Sequence, residues 1–332
     1  MSEVDKSSSV ARLAERVGCV AAEVGRAMAM PLDLPGDLAS HRRWITTGVG
    51  ASEGPARLLA ALLRAGGRLA DFAPISSFAE SAPPGDACVV VSQGLSPNAS
   101  IPLARAGDYA RMMLVTASRA EHREVVAVRH GPSHEDGLLL RVVGPAAATA
   151  TVVRLAKAIT HETNGNGASH PIDLDGALGS SRARAIAALR DVDPAALFDL
   201  VGIVASGADT ALCDGLRHKL LEGLGRGHPP VWDVCGLVHG PLQSFYERDA
   251  VLLVVERDPA PHLHERLARV LLPRHRIVRL RSRLPGALAV LDFDLQLDHL
   301  LVEALRARPR DLAEWPGKGR DGALYELGRA RI

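Results

Sequence analysis

Two turns in this sequence place hydroxyls and backbone N–H groups where an anion could be held. Residues 89–98 read Val-Val-Val-Ser-Gln-Gly-Leu-Ser-Pro-Asn. An apolar strand that ends in Ser92-Gln93-Gly94-Leu95-Ser96 gathers two hydroxyls, an amide and N–H groups at one point. A helix beginning just beyond it adds partial positive charge there. The same residues also suit an ordinary capped strand-to-helix turn. Residues 44–55, Trp-Ile-Thr-Thr-Gly-Val-Gly-Ala-Ser-Glu-Gly-Pro, repeat the arrangement. Gly48 and Gly50 allow a tight turn, and Ser52 is placed to cap a helix over 53–66. No Gly-Lys-Ser/Thr follows, so this is not a nucleotide P-loop, and the third glycine of a dinucleotide fingerprint is missing.

A second group of residues carries acid–base potential. Residues 209–224 have helical periodicity, and within them Lys219 and Glu222 stand i, i+3, on one face. The loop His239-Gly240-Pro241 follows. Taken singly, these are a solvated helix pair and a loop histidine.

The elements that must position these groups alternate along the chain. A helix over 9–30 precedes strands at 44–49, 68–72, 87–92, 111–116 and 125–129, with helices at 53–66, 98–107 and 145–160. The run Asn164-Gly165-Asn166-Gly167 marks a linker. Beyond it, strands are expected at 200–205, 231–234, 250–255, 276–281 and 287–292, with helices at 181–190, 209–224, 261–272 and 294–307. Strand and helix alternating at this pitch imply βαβ units and parallel sheets. Aromatic residues make up only 3% of the chain, so Ala, Val and Leu must build the core, which favours helices packed on parallel strands.

Several functions are excluded. The formal net charge is +1 and no basic stripe is interleaved with aromatics, so nucleic acid is not an expected partner. Cys19, Cys88, Cys213 and Cys235 have no paired spacing. Cys235-x-x-x-His239 and His262-x-His264 come nearest to a metal site, but no second pair stands at zinc spacing, so no metal or cofactor is expected. The polar, acidic start (Ser2-Glu3-Val4-Asp5) and the lack of a membrane-length apolar run predict a cytoplasmic protein with no membrane partner.

In their order and separation, the two turns, the Lys-x-x-Glu helix and the His-Gly-Pro loop resemble the sugar isomerase (SIS) family. The likeness is to its tandem members, such as the isomerase half of glucosamine-6-phosphate synthase and related sugar-phosphate isomerases and deaminases. One residue of the family's Ser-Gln-Ser-Gly-x-Ser/Thr turn is deleted here, which removes one phosphate-binding serine. The resemblance implies an α/β fold of two tandem SIS domains, each a parallel, mostly five-stranded sheet flanked by helices in a flavodoxin-like three-layer sandwich. It divides the chain into an N-terminal helical segment (1–40), a first SIS domain (41–162), a linker (163–180), a second SIS domain (181–310) and a tail (311–332).

Aldose–ketose isomerisation removes a proton beside a carbonyl, and so requires a carboxylate base and a donor for the developing oxyanion. By the resemblance, Glu222 is the base that moves a proton between C-1 and C-2, Lys219 its electrostatic partner, and His239 the carrier for ring opening. Ser52, Ser92, Gln93 and Ser96 would hold the anion. The activity implied is a metal-independent sugar-phosphate isomerase or amino-sugar-phosphate deaminase, working as a homodimer in which His239 could serve the partner's site. A non-catalytic sugar-phosphate-binding regulator is the alternative. Lys318, the only lysine of the tail, is not expected to be catalytic, and the tail itself is expected to lie on the surface of one domain.

Overall fold

The computed structural model describes residues 3–131, 135–161, 173–316 and 318–331. In chain order its elements are α1 (Glu3–Ala29), β1 (Arg43–Gly48), α2 (Glu53–Ala65), β2 (Leu69–Phe72), β3 (Ala87–Val91), α3 (Ser100–Leu103), β4 (Arg111–Thr116), β5 (Val125–Arg129) and α4 (Val143–His161). There follow α5 (Leu174–Gly179), α6 (Ser181–Ala188), β6 (Leu200–Ala205), α7 (Asp214–Leu224), β7 (Val231–Asp233), α8 (Val234–Leu237), α9 (Pro241–Phe245), β8 (Ala250–Arg257), α10 (His262–Val270), β9 (His275–Ser282), α11 (Ala289–Ala307) and α12 (Gly322–Tyr325).

The strands form two parallel sheets flanked by helices, in the orders β2-β1-β3-β4-β5 and β7-β6-β8-β9. They belong to two compact units. One comprises Ala22–Asp136, Val143–Pro171 and Trp315–Ile332, and the other Met1–Ala21, Gly137–Val142 and Ile172–Glu314.

Strands covered on both faces read as unbroken apolar runs. Every residue of β3 (Ala-Cys-Val-Val-Val) is buried, and β8 is buried from Ala250 to Glu256. In β1, Trp44 is fully buried and its indole N–H donates to the His41 carbonyl at 3.1 Å. α2 turns Ala56, Leu59, Ala60 and Leu63 into the core.

Three expectations change. Residues 287–292 are not a strand but lead into α11, so the second sheet has four strands. α11 is buried on nearly every side, so its apolar residues show no single stripe, and a run such as Leu-Ala-Val-Leu imitates a strand. The helix expected over 98–107 shrinks to α3, between 3-10 turns at 97–99 and 106–108. Pro102, which has no N–H, cannot make the bond to the Asn98 carbonyl that a helix begun at 98 would contain. Of the expected linker, 163–172 lies outside the described residues, and α5 forms within 173–180. Among the described residues no helix is long and apolar enough to cross a membrane.

Candidate active site

In a parallel sheet, ligands collect at the carboxyl ends of strands where neighbouring connections diverge to opposite sides. In the five-stranded sheet that point lies between β1 and β3, and both anion-type turns leave from it. Gly48 pairs with Val91 at the strand ends. A Cβ on Gly48 would lie 2.6 Å from the Ser52 carbonyl oxygen, so the turn closes only around glycine. Gly50 adopts φ +62°. Ser52 itself accepts no capping bond, because the chain passes through it from a 3-10 turn directly into α2. Two hydroxyls at this edge, Thr47 Oγ1 and Ser96 Oγ, are buried without a hydrogen-bond partner among the described residues. Buried polar atoms left open in this way mark a place that a ligand can complete.

Ser92 is buried at the end of β3. Gln93 differs from expectation, for its amide lies against α4 rather than in the turn. Its Nε2 donates to Glu135 Oε2 at 3.3 Å and occupies the space that a side chain on Gly144 would need. The buried Glu135 carboxylate accepts from the N–H groups of Val143 (2.9 Å) and Gly144 (2.7 Å), and so fills the positive end of α4. Nothing in the sequence pattern points to this carboxylate, since it lies outside both turns.

The tail also joins this edge. Asn98 Nδ2 donates to the Leu324 carbonyl at 3.0 Å, and Ser100 Oγ donates to Gly328 O at 2.9 Å. The Gly328 N–H in turn donates to Asn98 Oδ1 at 3.2 Å. Residues just beyond Ser96 are therefore covered by the tail. A Cβ on Gly328 would fall 1.8 Å from the Pro97 carbonyl oxygen. Gly328→Val is accordingly expected to release the tail, read as faster tryptic cleavage after Lys318 and Arg320 with the melting temperature of the rest little changed.

His130, just past β5, is buried, and neither ring nitrogen has a partner among the described residues. Burial pushes its pKa down to about 4. A base with a depressed native pKa loses stability as pH falls, because the unfolded chain protonates first. Between the unfolded value near 6.5 and the native value near 4, the loss should reach about 3 kcal/mol. His130→Phe should flatten that part of a stability-against-pH curve, and an unchanged slope would contradict the assignment.

In the other unit, α7 carries Lys219 and Glu222. Lys219 is not paired with Glu222. Its Nζ lies 2.8 Å from Asp294 Oδ2 and 2.7 Å from both Asp298 oxygens, one turn apart on α11. Burial alone would lower the Lys219 pKa, but the two carboxylates overcome it and the net shift is upward. Glu222 instead meets His218, with Oε1 3.1 Å from Nε2, while Oε2 is buried with no partner among the described residues. α7 ends at Gly225, where Arg310 reaches back to the carbonyls of Glu222 (3.4 Å) and Gly223 (3.2 Å). His239 lies in the exposed turn between α8 and α9, and its side chain bonds to neither Lys219 nor Glu222.

The carboxyl edge of the four-stranded sheet holds a further polar chain. Ser206 Oγ is 2.7 Å from His264 Nε2, and His264 Nδ1 is 3.1 Å from Glu256 Oε2. Burial tends to raise the Glu256 pKa, but His264, Arg279 and Arg281 hold it below its ordinary value. The backbone N–H of Gly207, beside Ser206, donates to Asp233 Oδ2 at 2.9 Å. That leaves a carboxylate where an acyl-transfer serine needs an oxyanion donor. The chain ties β6, β8 and α10 together.

Two open clefts, of about 560 and 500 Å³, lie at the opposite, amino ends of β6 to β8, between them lined by Leu200, Leu224, Arg226, Pro230 and Arg310.

No protein-family model matches the sequence, and no curated protein matches it significantly. Solved structures do match. The C-terminal domain of glucosamine-fructose-6-phosphate aminotransferase from Francisella tularensis superposes with a TM-score of 0.68 at 13% identity, over 91% of this chain and 96% of that one. Glucosamine-6-phosphate deaminase from Thermotoga maritima gives 0.63 at 12%, over 90% and 98%. Tagatose-6-phosphate ketose/aldose isomerase from Escherichia coli gives 0.56 at 14%, over 94% and 95%. Over nine-tenths of its length the chain therefore resembles phosphosugar isomerases and deaminases, and its two helix-flanked parallel sheets match the SIS fold.

Proposed function

We propose that the protein binds a sugar phosphate and moves a proton between its C-1 and C-2, as an aldose–ketose isomerase or an amino-sugar-phosphate deaminase. One observation carries this reading. Glu222 is a buried carboxylate with one oxygen held by His218 and the other, Oε2, open among the described residues. A carboxylate so placed, with its neighbouring cation engaged elsewhere, is suited to accept a proton. Solved structures of the same fold whose names include an isomerase and a deaminase support the chemistry. The whole scheme assigns the phosphate to the turns at Ser52 and at Ser92–Ser96, with Thr47 as a further hydroxyl at that edge. It gives Lys219 the task of fixing α7 rather than of pairing with Glu222, and His239 that of ring opening in a homodimer of two SIS domains per chain.

Gln93, drawn toward Glu135, and the shortened second turn favour a second reading, in which the protein binds the sugar phosphate without turnover. Incubation with hexose and hexosamine 6-phosphates separates these outcomes. Ketose without ammonia identifies an isomerase, and ketose with ammonia a deaminase. A rise in melting temperature with neither product identifies a regulator and overturns the catalytic reading.

A further inference from the structure

Three guanidiniums, those of Arg226, Arg308 and Arg310, line the 500 Å³ cleft at the amino ends of β6 to β8. Asp199 is the only carboxylate that lines it among the described residues. It offsets little of that charge. Its side chain is 72% exposed, and its Oδ1 stands 3.9 Å from Arg226 Nη1, beyond hydrogen-bond reach.

The chain holds two of the three guanidiniums in place without using up their donors. Arg308 and Arg310 flank Pro309 where the chain leaves α11. The Arg308 guanidinium lies over the Phe198 ring, 4.8 Å from its centroid, and its N–H edge has no protein acceptor among the described residues. Arg310 Nη1 donates to the carbonyls of Glu222 and Gly223, while its Nε and Nη2 have no acceptor there. Gly225, at φ +65°, makes room for this, since a Cβ on it would lie 2.1 Å from Arg310 Nη1. Capping the negative end of α7 accounts for Arg310 alone. It gives no account of Arg308, which stacks on Phe198 instead of reaching a carbonyl.

The 560 Å³ cleft adjoins this one, for the two share Asp199, Leu224 and Arg226, and Leu200 and Leu220 add to its apolar wall. A planar guanidinium fork matches the oxygens of a phosphate, and an apolar wall beside it suits the body that carries the phosphate. We propose that the two clefts form a binding site for a phosphomonoester. Arg226, Arg308 and Arg310 hold the phosphate, and the rest of the molecule lies against Leu200, Leu220 and Leu224. The site is separate from the two anion-type turns, which belong to the other compact unit, and it does not depend on Glu222 being a base.

Equilibrium titration of the full chain with phenyl phosphate and with inorganic phosphate tests this. The double variant Thr47→Val with Ser96→Ala removes two hydroxyls from the turns of the other unit. In that background one phenyl phosphate should still bind per chain, about tenfold tighter than inorganic phosphate because its ring leaves water. Arg308→Met and Arg226→Met should each weaken phenyl phosphate about tenfold. Both side chains are exposed, so the melting temperature should stay close to that of the parent. Arg308→Lys should weaken binding nearly as much as Arg308→Met, because an ammonium offers neither the fork nor the stack on Phe198. Full affinity in Arg308→Lys would mean an adventitious ion only, drawn by net charge, and overturns the site. Binding that disappears in the Thr47→Val, Ser96→Ala protein and ignores the arginine variants would belong to the turns, and overturns it too. So does the absence of binding by the wild-type protein, or equal affinity for the two probes.

Discussion

Replacing Lys219 with methionine is expected to destabilise the protein by about 3–5 kcal/mol, the usual consequence of removing one partner from a buried ion cluster. Lys219 is 3% exposed, and its ammonium is held by Asp294 and Asp298, which are one turn apart on a helix that is itself almost wholly buried. Without the cation, two carboxylates would face each other in a low-dielectric interior with nothing to compensate either. The variant Lys219→Met with Asp294→Asn and Asp298→Asn should recover most of the loss, because amides tolerate burial that paired anions do not. Denaturant melts of the single and triple variants check this. A single variant as stable as the parent would contradict the ion cluster. The pH dependence has a fixed sign. The Lys219 pKa is raised above its ordinary value, so its contribution is complete below the unfolded value near 10.5 and is lost only as pH climbs through the higher native value.

The second large effect is on turnover rather than stability. Glu222→Gln should reduce the rate of proton transfer by about 10²–10⁴-fold, the range that general-base removal gives. The amide cannot take a proton, yet it has nearly the same shape and its oxygen can keep the bond from His218. Oε2 has no partner to lose among the described residues, so the melting temperature should move little. Lys219→Met, by contrast, should lower activity and stability together. A Glu222→Gln protein that unfolds as easily as Lys219→Met would mean that Glu222 braces the fold.

Much of the fold was readable from the sequence because buried parallel strands announce themselves. Val89-Val90-Val91 and Val251-Leu252-Leu253-Val254-Val255 leave little choice, and Gly48, Gly50 and Pro55 punctuate the first turn. The fifth strand of the second sheet was misread at 287–292 because burial on all sides erases the stripe by which an amphipathic helix is known. At the site, the local turns were legible and the long-range partners were not. Nothing near Lys219 in sequence points to Asp294 and Asp298, 75 and 79 residues away. Glu135, which takes up the Gln93 amide, stands 42 residues from it, outside either turn. The docking of Gly328 on Pro97 depends on a glycine in a segment with no periodicity of its own. His218 stands one turn before Glu222 in the sequence, but the approach of His228 to its other nitrogen is set by the loop after α7.

The most direct test of Glu222 as the base is proton NMR of hexose and hexosamine 6-phosphates in deuterated buffer, with the wild-type protein and with Glu222→Gln. The wild-type protein should erase the C-2 proton signal of at least one aldose phosphate, and the variant should leave it intact over the same time. Erasure at equal rates by both proteins would contradict the assignment.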